Sequence, residues 1–434
     1  MCVDLKNKKR SIKMFKKTVV CLLMLMMLLG FAGITQAKSV EFWVGADPRE
    51  TAFWTRIFTE WDETHPDLKI DWRPAPTGKS GEEVLLTAIA TGTGPDLSTG
   101  IFAGFAFQLM ENDILVPFNK FEGFEELLEA RSMTNIVKKA WGYKGDYYVL
   151  PMYTNPIAFW WNKDVLDELG IDVPRTYSDV LKLAALYNDP KSGKYTLYTR
   201  FTPSWWHRWQ DFCAHYYAAT GGKPYWDDQK VYFNDENGLK YMEFINTMFR
   251  KEYSPLEDIQ DAIQKGNVIG GINKGPWSIK PTREKYPDFN YVIAPPLVPD
   301  SFPLDKPIYT FADTKGISML TKDMEKQEVI WEFLKWLFSD SKHDVIWLEE
   351  TTMLPSREDV TTNPVFSDFL GNHPKLAEYA KLLPYAIPPP LNAKTAELQT
   401  AFNELVWEPI AYGKKSPKEA LADAEVALNK ILQR

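Results

Sequence analysis

Hydrophobic positions change period repeatedly along the chain, and the changes predict alternating strands and helices. Residues 39–44, SVEFWV, read as a strand, and Gly45 to Pro48 as a loop. Phe53, Trp54, Ile57, Phe58 and Trp61 then recur at the spacing of one helix face, and His65-Pro66-Asp67 ends that run. Residues 68–72, LKIDW, read as the next strand. Strand, helix and strand in this order predict a parallel, doubly wound α/β sheet. Ligands of such sheets lie beyond the carboxyl ends of the strands, so the Gly45–Pro48 loop is expected to wall a site.

A third unit repeats the pattern. Val84, Leu85, Ala88 and Ile89 mark the inner face of a helix over 82–91, and Gly92-Thr93-Gly94-Pro95 stops it. A strand starts at Asp96–Thr99, and GIFAGF, residues 100–105, follows where a ligand would lie. The glycines run from helix to strand, the reverse of a phosphate-cradling loop, so they read as a tight helix stop.

The period breaks most sharply over 147–163, YYVLPMYTNPIAFWWNK. A β-branched and aromatic run is interrupted by Pro151 and Pro156 and resumes as IAFWW. Proline cannot donate to a sheet ladder, so two of them should not occupy one central strand. The economical reading is two strands joined by an extended crossing, with a cleft beside it if the strands belong to different sheets. The competing reading is one kinked edge strand. Asn162 is the expected cap of the following helix, KDVLDEL, and Gly170 its stop.

Further helices are expected over 178–187, 236–251 and 322–338, each with apolar residues on one face. The segment 201–217, FTPSWWHRWQDFCAHYY, carries aromatic residues all round a helix. Either it is buried throughout, or the rings near its start, Trp205 and Trp206, face a cleft. A short strand, VIGGI at 268–272, leads into Asn273-Lys274-Gly275-Pro276-Trp277 and places a ring at a strand end. After the strand YVIA at 291–294, the run from Pro295 to Pro307 forms a second expected crossing. After the strand GISML at 316–320, Met353-Leu354-Pro355-Ser356 forms a third. Ser416-Pro417-Lys418-Glu419 is a capping box with proline at the first helical position.

The first 37 residues depart from this pattern. A basic stretch from Lys6 to Lys17 precedes the apolar run TVVCLLMLMMLL, which is short for a bilayer span, and small residues follow to Ala37. This reads as a cleaved signal peptide with its cut near Ala37, and Met14 is an alternative start. The other reading is a retained anchor. No cysteine stands at the expected cut, so no lipid anchor is expected. Without these residues the chain has 43 basic and 57 acidic residues, a net charge of −14, which argues against nucleic acid and anionic membranes as partners. Cys213 is then the one remaining cysteine, which leaves no internal disulfide and fits an exported, periplasmic protein that relies on its core. With 16 Trp, 20 Tyr and 25 Phe the chain holds more rings than packing usually demands, and some are expected to line a ligand surface.

Catalytic and metal signatures are missing. There is no GxSxG, HExxH, CxxC or Walker sequence, and the five histidines are scattered. No metal or cofactor is expected. Carboxylates are plentiful, but none stand out as a hydrolytic pair.

One resemblance gathers these features. VEFWVG, FTEWDETHPDLKI, LLTAIATGTGPDL, LMENDILVPF, YKGDYYVLPMY, FWWNKDVLDELGIDVPRTYSDV, GINKGPW, the APPLVP run, KGISMLTKDMEKQEVIWEFLKWLFSDSKHDVIW and MLPS follow one another in the order of the maltose-binding-protein-like receptors of sugar ABC importers. The chain resembles that family over nearly all of its mature length, with Trp161 where the family usually has tyrosine. The resemblance implies a type II periplasmic binding fold: two Rossmann-like lobes joined by three hinge crossings. Its lobes would be 38–153 plus 309–352 and 154–308 plus 353–434. It implies a carbohydrate, of two or more sugar units, held between the lobes by Asp47, Thr99, Phe102, Asn155, Trp205, Trp206, Trp277 and Asn392. Membrane-embedded permease subunits would be the partners, the receptor a monomer without enzymatic activity. An anionic solute held by Arg200, Arg208 or Arg283 is the nearer alternative, and a secreted glycosidase the remote one.

Overall fold

The computed structural model describes residues 39–434 apart from 79–80, 200–204, 228 and 391, without the side chains of 205–208, 273 and 274. The expected signal peptide over residues 1–37 and Arg200 lie outside the described residues.

Strands β1 (Val40–Val44), β2 (Ile70–Pro74) and β3 (Leu97–Phe102) alternate with the helices Pro48–Thr64 and Gly81–Ala90. β1 pairs in parallel with both β2 and β3. The helix faces expected from the spacing are the buried ones: Phe53, Trp54, Ile57, Phe58 and Trp61 all lie inside, with Phe42 from β1 against them. β4 (Gly142–Tyr143) and β5 (Asp146–Tyr147) form a small hairpin before β6 (Leu150–Pro156).

β6 holds both prolines. It pairs with β11 (Thr310–Met319), Pro151 facing Gly316 and Pro156 facing Ala312. β6 lies outside β11 in the sheet, and its other side meets the 353–356 segment through the Tyr153–Pro355 bridge. The missing proline donors are tolerated there because this is not a strand flanked by two full ladders. Only Ile157 separates β6 from β7 (Ala158–Asn162), and β7 belongs to a different sheet. The crossing expected between the prolines therefore occurs just after them.

That second sheet is ordered β10-β7-β9-β8, with β8 spanning Tyr195–Tyr198, β9 Val268–Lys274 and β10 Tyr291–Ala294. It is mixed: β7 runs antiparallel to β9 and β10, and β8 parallel to β9. The first sheet is ordered β12-β11-β3-β1-β2, where β12 is Ala386–Ile387 and β6 lies beside β12 along β11. Chain leaving β10 returns to the first sheet as β11, the second crossing. The third follows the Ser341–Thr351 helix: Thr154 donates to the Leu354 carbonyl at 3.0 Å and Ser356 to the Met152 carbonyl at 3.0 Å. All three connections run side by side.

Much of the aromatic excess is core. Among the described residues nine tryptophans, Trp54, Trp61, Trp141, Trp160, Trp161, Trp209, Trp226, Trp347 and Trp407, are less than 2% exposed. The ring-rich segment forms the Trp205–Thr220 helix, and Trp209, Phe212, Tyr216 and Tyr217 pack inside it. Trp161 presses on Gly270, where a Cβ would stand 2.1 Å from its ring.

Candidate functional site

A cavity of about 590 Å³ opens at the carboxyl ends of β1 and β3 and extends over the crossings. Its wall on the β1 side comes from Gly45, Asp47, Arg49 and Glu50, with Thr99 and Gly100 from β3 and Glu82 from the next helix. Its floor is Tyr153 from β6, Asp313 and Lys315 from β11, and Met353 from the third crossing. Trp277, which follows β9, closes it from the second sheet. Alternation along the strands sorts these residues: Tyr153, Asp313 and Lys315 face this cavity. Thr154 and Thr314 face a second cavity of about 470 Å³ behind the crossings.

Asp47 caps the Pro48–Thr64 helix, accepting from the Arg49 N–H at 2.9 Å and from Arg49 Nε at 2.9 Å. This pairing holds its carboxyl below the usual range despite partial burial. The same Arg49 donates through Nη1 to the Trp277 carbonyl, so the two sides of the cavity are joined by a direct hydrogen bond. Thr99 Oγ1 accepts from the Gly45 N–H at 3.0 Å and fixes the loop against β3. The Trp277 ring folds back over Gly275, where a Cβ would lie 1.9 Å from it; only glycine leaves that space. The ring packs against the cores of both sheets.

Three charged groups lie beyond this pairing. Glu50 is half-buried with its carboxylate against Gly45, and loss of water pushes its pKa up to about 7; Lys315 opposes the rise and Asp47 adds to it. Burial also raises Asp313, opposed by Lys315. Burial disfavours the Lys315 ammonium, but Asp313, Glu50 and Glu82 outweigh it and hold its pKa above the ordinary value.

The expected site residues separate into three groups. Asp47, Thr99 and Trp277 line the cavity together. Phe102 lies beside Lys315 in the sheet and stacks on Phe105 at 6.1 Å, and Asn155 is fully buried at the crossing, its Oδ1 accepting from the Leu354 N–H at 3.0 Å. Asn392 is buried away from the lining, its Oδ1 bonded to the Lys394 N–H at 2.8 Å. Trp205 and Trp206 begin their helix, and their side chains lie outside the described set. Arg283 is exposed and does not line the cavity, and the Arg208 side chain is among those not described.

Sequence reasoning missed Arg49, Glu50, Tyr153, Asp313 and Lys315. Only the last two left a signal. In TFADTKGISM two charges stand two apart on one face of a strand that is otherwise apolar or small.

The model of the bacterial extracellular solute-binding proteins matches residues 45–343. The chain belongs to that family. It is a substrate-binding receptor of the ABC-importer type with the type II periplasmic binding fold. An uncharacterized protein of Listeria monocytogenes superposes with a TM-score of 0.80 at 32% identity, over 91% of this chain and 100% of that one. The maltotriose-binding protein of Pyrococcus abyssi is 24% identical over 380 residues, 85% of this chain and 78% of that protein. The cyclic alpha-maltosyl-1,6-maltose binding protein of Arthrobacter globiformis shares the fold, with a TM-score of 0.75 at 19% identity over 91% of this chain and 99% of that one. Members of this family are binding proteins. No described helix is long and apolar enough to cross a membrane.

Proposed function

We propose that this receptor captures a neutral oligosaccharide in the cavity between its two sheets. The observation that carries the reading is the composition of the lining. Among the described residues four rings, Trp43, Phe105, Tyr153 and Trp277, share it with the carboxylates of Asp47, Glu50, Glu82 and Asp313. A saccharide offers an apolar C–H face and a rim of hydroxyls. Rings cover the face, and carboxylates accept from the rim. Among the described residues the two cations in the lining are Arg49, already paired with Asp47, and Lys315. A buried anion needs surplus cations, so the acidic lining disfavours a phosphate or uronate. The names of the maltotriose-binding and maltosyl-maltose-binding relatives support a glucose oligomer.

The lobes would divide as 38–153 plus 309–352 and 154–308 plus 353–434, closing about the three adjacent crossings. Asp47, Thr99 and Trp277 would contact the sugar directly, and Phe102, Asn155 and Asn392 would support the walls. Trp205 and Trp206 would add stacking surface. The receptor would act as an exported, cleaved monomer that delivers its sugar to permease subunits, without enzymatic activity.

A thermal-shift panel tests this reading. Maltotriose, cellotriose, isomaltotriose and raffinose would be compared with glucuronate and glycerol 3-phosphate. A ligand at a hundred times its dissociation constant stabilises the folded state by about 2.7 kcal/mol. The expected result is a clear shift with a neutral oligosaccharide. A shift with the anions alone would replace the proposal by an anion receptor.

A further inference from the structure

Asp313 and Lys315 lie inside β11, both laddered to β6, and Lys315 to β3 as well. A strand interior is a costly place for charge unless the charge is paired. Neither side chain has a hydrogen-bond or ion-pair partner among the described residues, and both are half-buried with their faces to the cavity. Their place along the strand matters as well. Asp313 stands opposite Asn155, and Asn155 holds the third crossing through Leu354. Lys315 stands opposite Tyr153, itself in the lining. Both therefore lie where the three connections run together.

Resting on the saccharide reading, we infer that Asp313 and Lys315 are specificity-determining residues that bind a vicinal pair of hydroxyls on one sugar ring. An ionised carboxylate has two oxygens and accepts from two adjacent hydroxyls. An ammonium only donates, and reaches the lone pairs of one of the same hydroxyl oxygens. Together they pair with a neutral diol whose groups both donate and accept. A phosphate or carboxylate in the same place would face Asp313 directly. The ligand supplies hydrogen bonds to two half-buried charges that attract each other but hold no hydrogen-bond partner among the described residues, and such satisfaction carries large discrimination against analogues lacking a hydroxyl. Burial raises the Asp313 carboxyl and works against the Lys315 ammonium, as for two groups short of solvent, while Asp313, Glu50 and Glu82 keep Lys315 charged.

Calorimetric titration of the mature chain, Asp313→Asn and Lys315→Met with maltotriose, cellotriose, isomaltotriose and raffinose tests the inference. Melting of each ligand-free protein is measured alongside. The expected result is at least tenfold weaker binding by each variant, with ligand-free melting temperatures equal to or above that of the unmodified chain. A purely structural role predicts the opposite: lower melting temperatures with affinity kept. Tight binding by the unmodified chain with unchanged affinity in both variants overturns the inference alone. Silence of the unmodified chain toward every saccharide overturns it together with the reading on which it rests.

Discussion

Glu50 illustrates how a single residue here is governed by its surroundings. Its pKa in the folded chain, about 7, lies above the 4.5 of an exposed glutamate, because burial strips water from the carboxylate. The folded state therefore holds the proton more tightly than the unfolded one, and stability falls as pH rises from about 4.5 through about 7. Glu50→Gln removes that dependence. Melting curves of the ligand-free protein should show the variant and the parent together at pH 4 and the variant higher at pH 8. A constant gap would contradict the assignment. Gly275 gives a second residue-level outcome: Gly275→Ala drives a Cβ into the Trp277 ring. The displaced ring should show as a changed near-ultraviolet circular dichroism spectrum and weaker ligand binding.

At the scale of elements, the crossings are clamped by a buried ionic network. Arg131 is 1% exposed, donates to the Pro151 and Met152 carbonyls of β6, and pairs with Asp344 at 2.8 Å. Arg357, at the end of the third crossing, reaches the same Asp344 at 3.1 Å. Asp344→Asn leaves the buried Arg131 without its carboxylate, while Arg357 keeps Asp359 at 2.8 Å, and should cost about 3–5 kcal/mol in chemical denaturation. By contrast Ser416→Ala, which removes a surface capping box, should cost about 1 kcal/mol. The elements were largely legible in the sequence because their signals are local. Asn162 caps its helix through the Val165 N–H, Gly170 ends it at φ 65°, and the Ser416–Glu419 box stands as spaced. The helix end at Gly92 likewise carries glycine at positive φ. Strand interruption was less legible. Pro151 and Pro156 read as breaks, yet both fit in β6, because whether a strand meets a full ladder on both sides depends on distant chain.

Over the whole molecule, the site was only partly legible for the same reason. Asp47 and Trp277 follow the ends of β1 and β9, which can be read from local pattern, and Thr99, within β3, was reached because the sequence pattern ends that strand at 99. Tyr153, Asp313 and Lys315 reach the cavity only because three connections far apart in sequence lie side by side. Phe102 and Asn392 follow their neighbours in sequence but turn into packing or a local cap. The adjacent crossings predict that the two lobes move as bodies about β6, β11 and the 353–356 segment. Small-angle scattering should therefore show a smaller radius of gyration when the saccharide is bound, and an unchanged radius would contradict closure.

The most direct measurement is calorimetric titration of the mature chain with maltotriose, beside Trp277→Ala. The parent should bind saturably and the variant at least tenfold more weakly, about 1.4 kcal/mol or more. Equal affinity in the two proteins would place the sugar away from the Trp277 wall and contradict the site described.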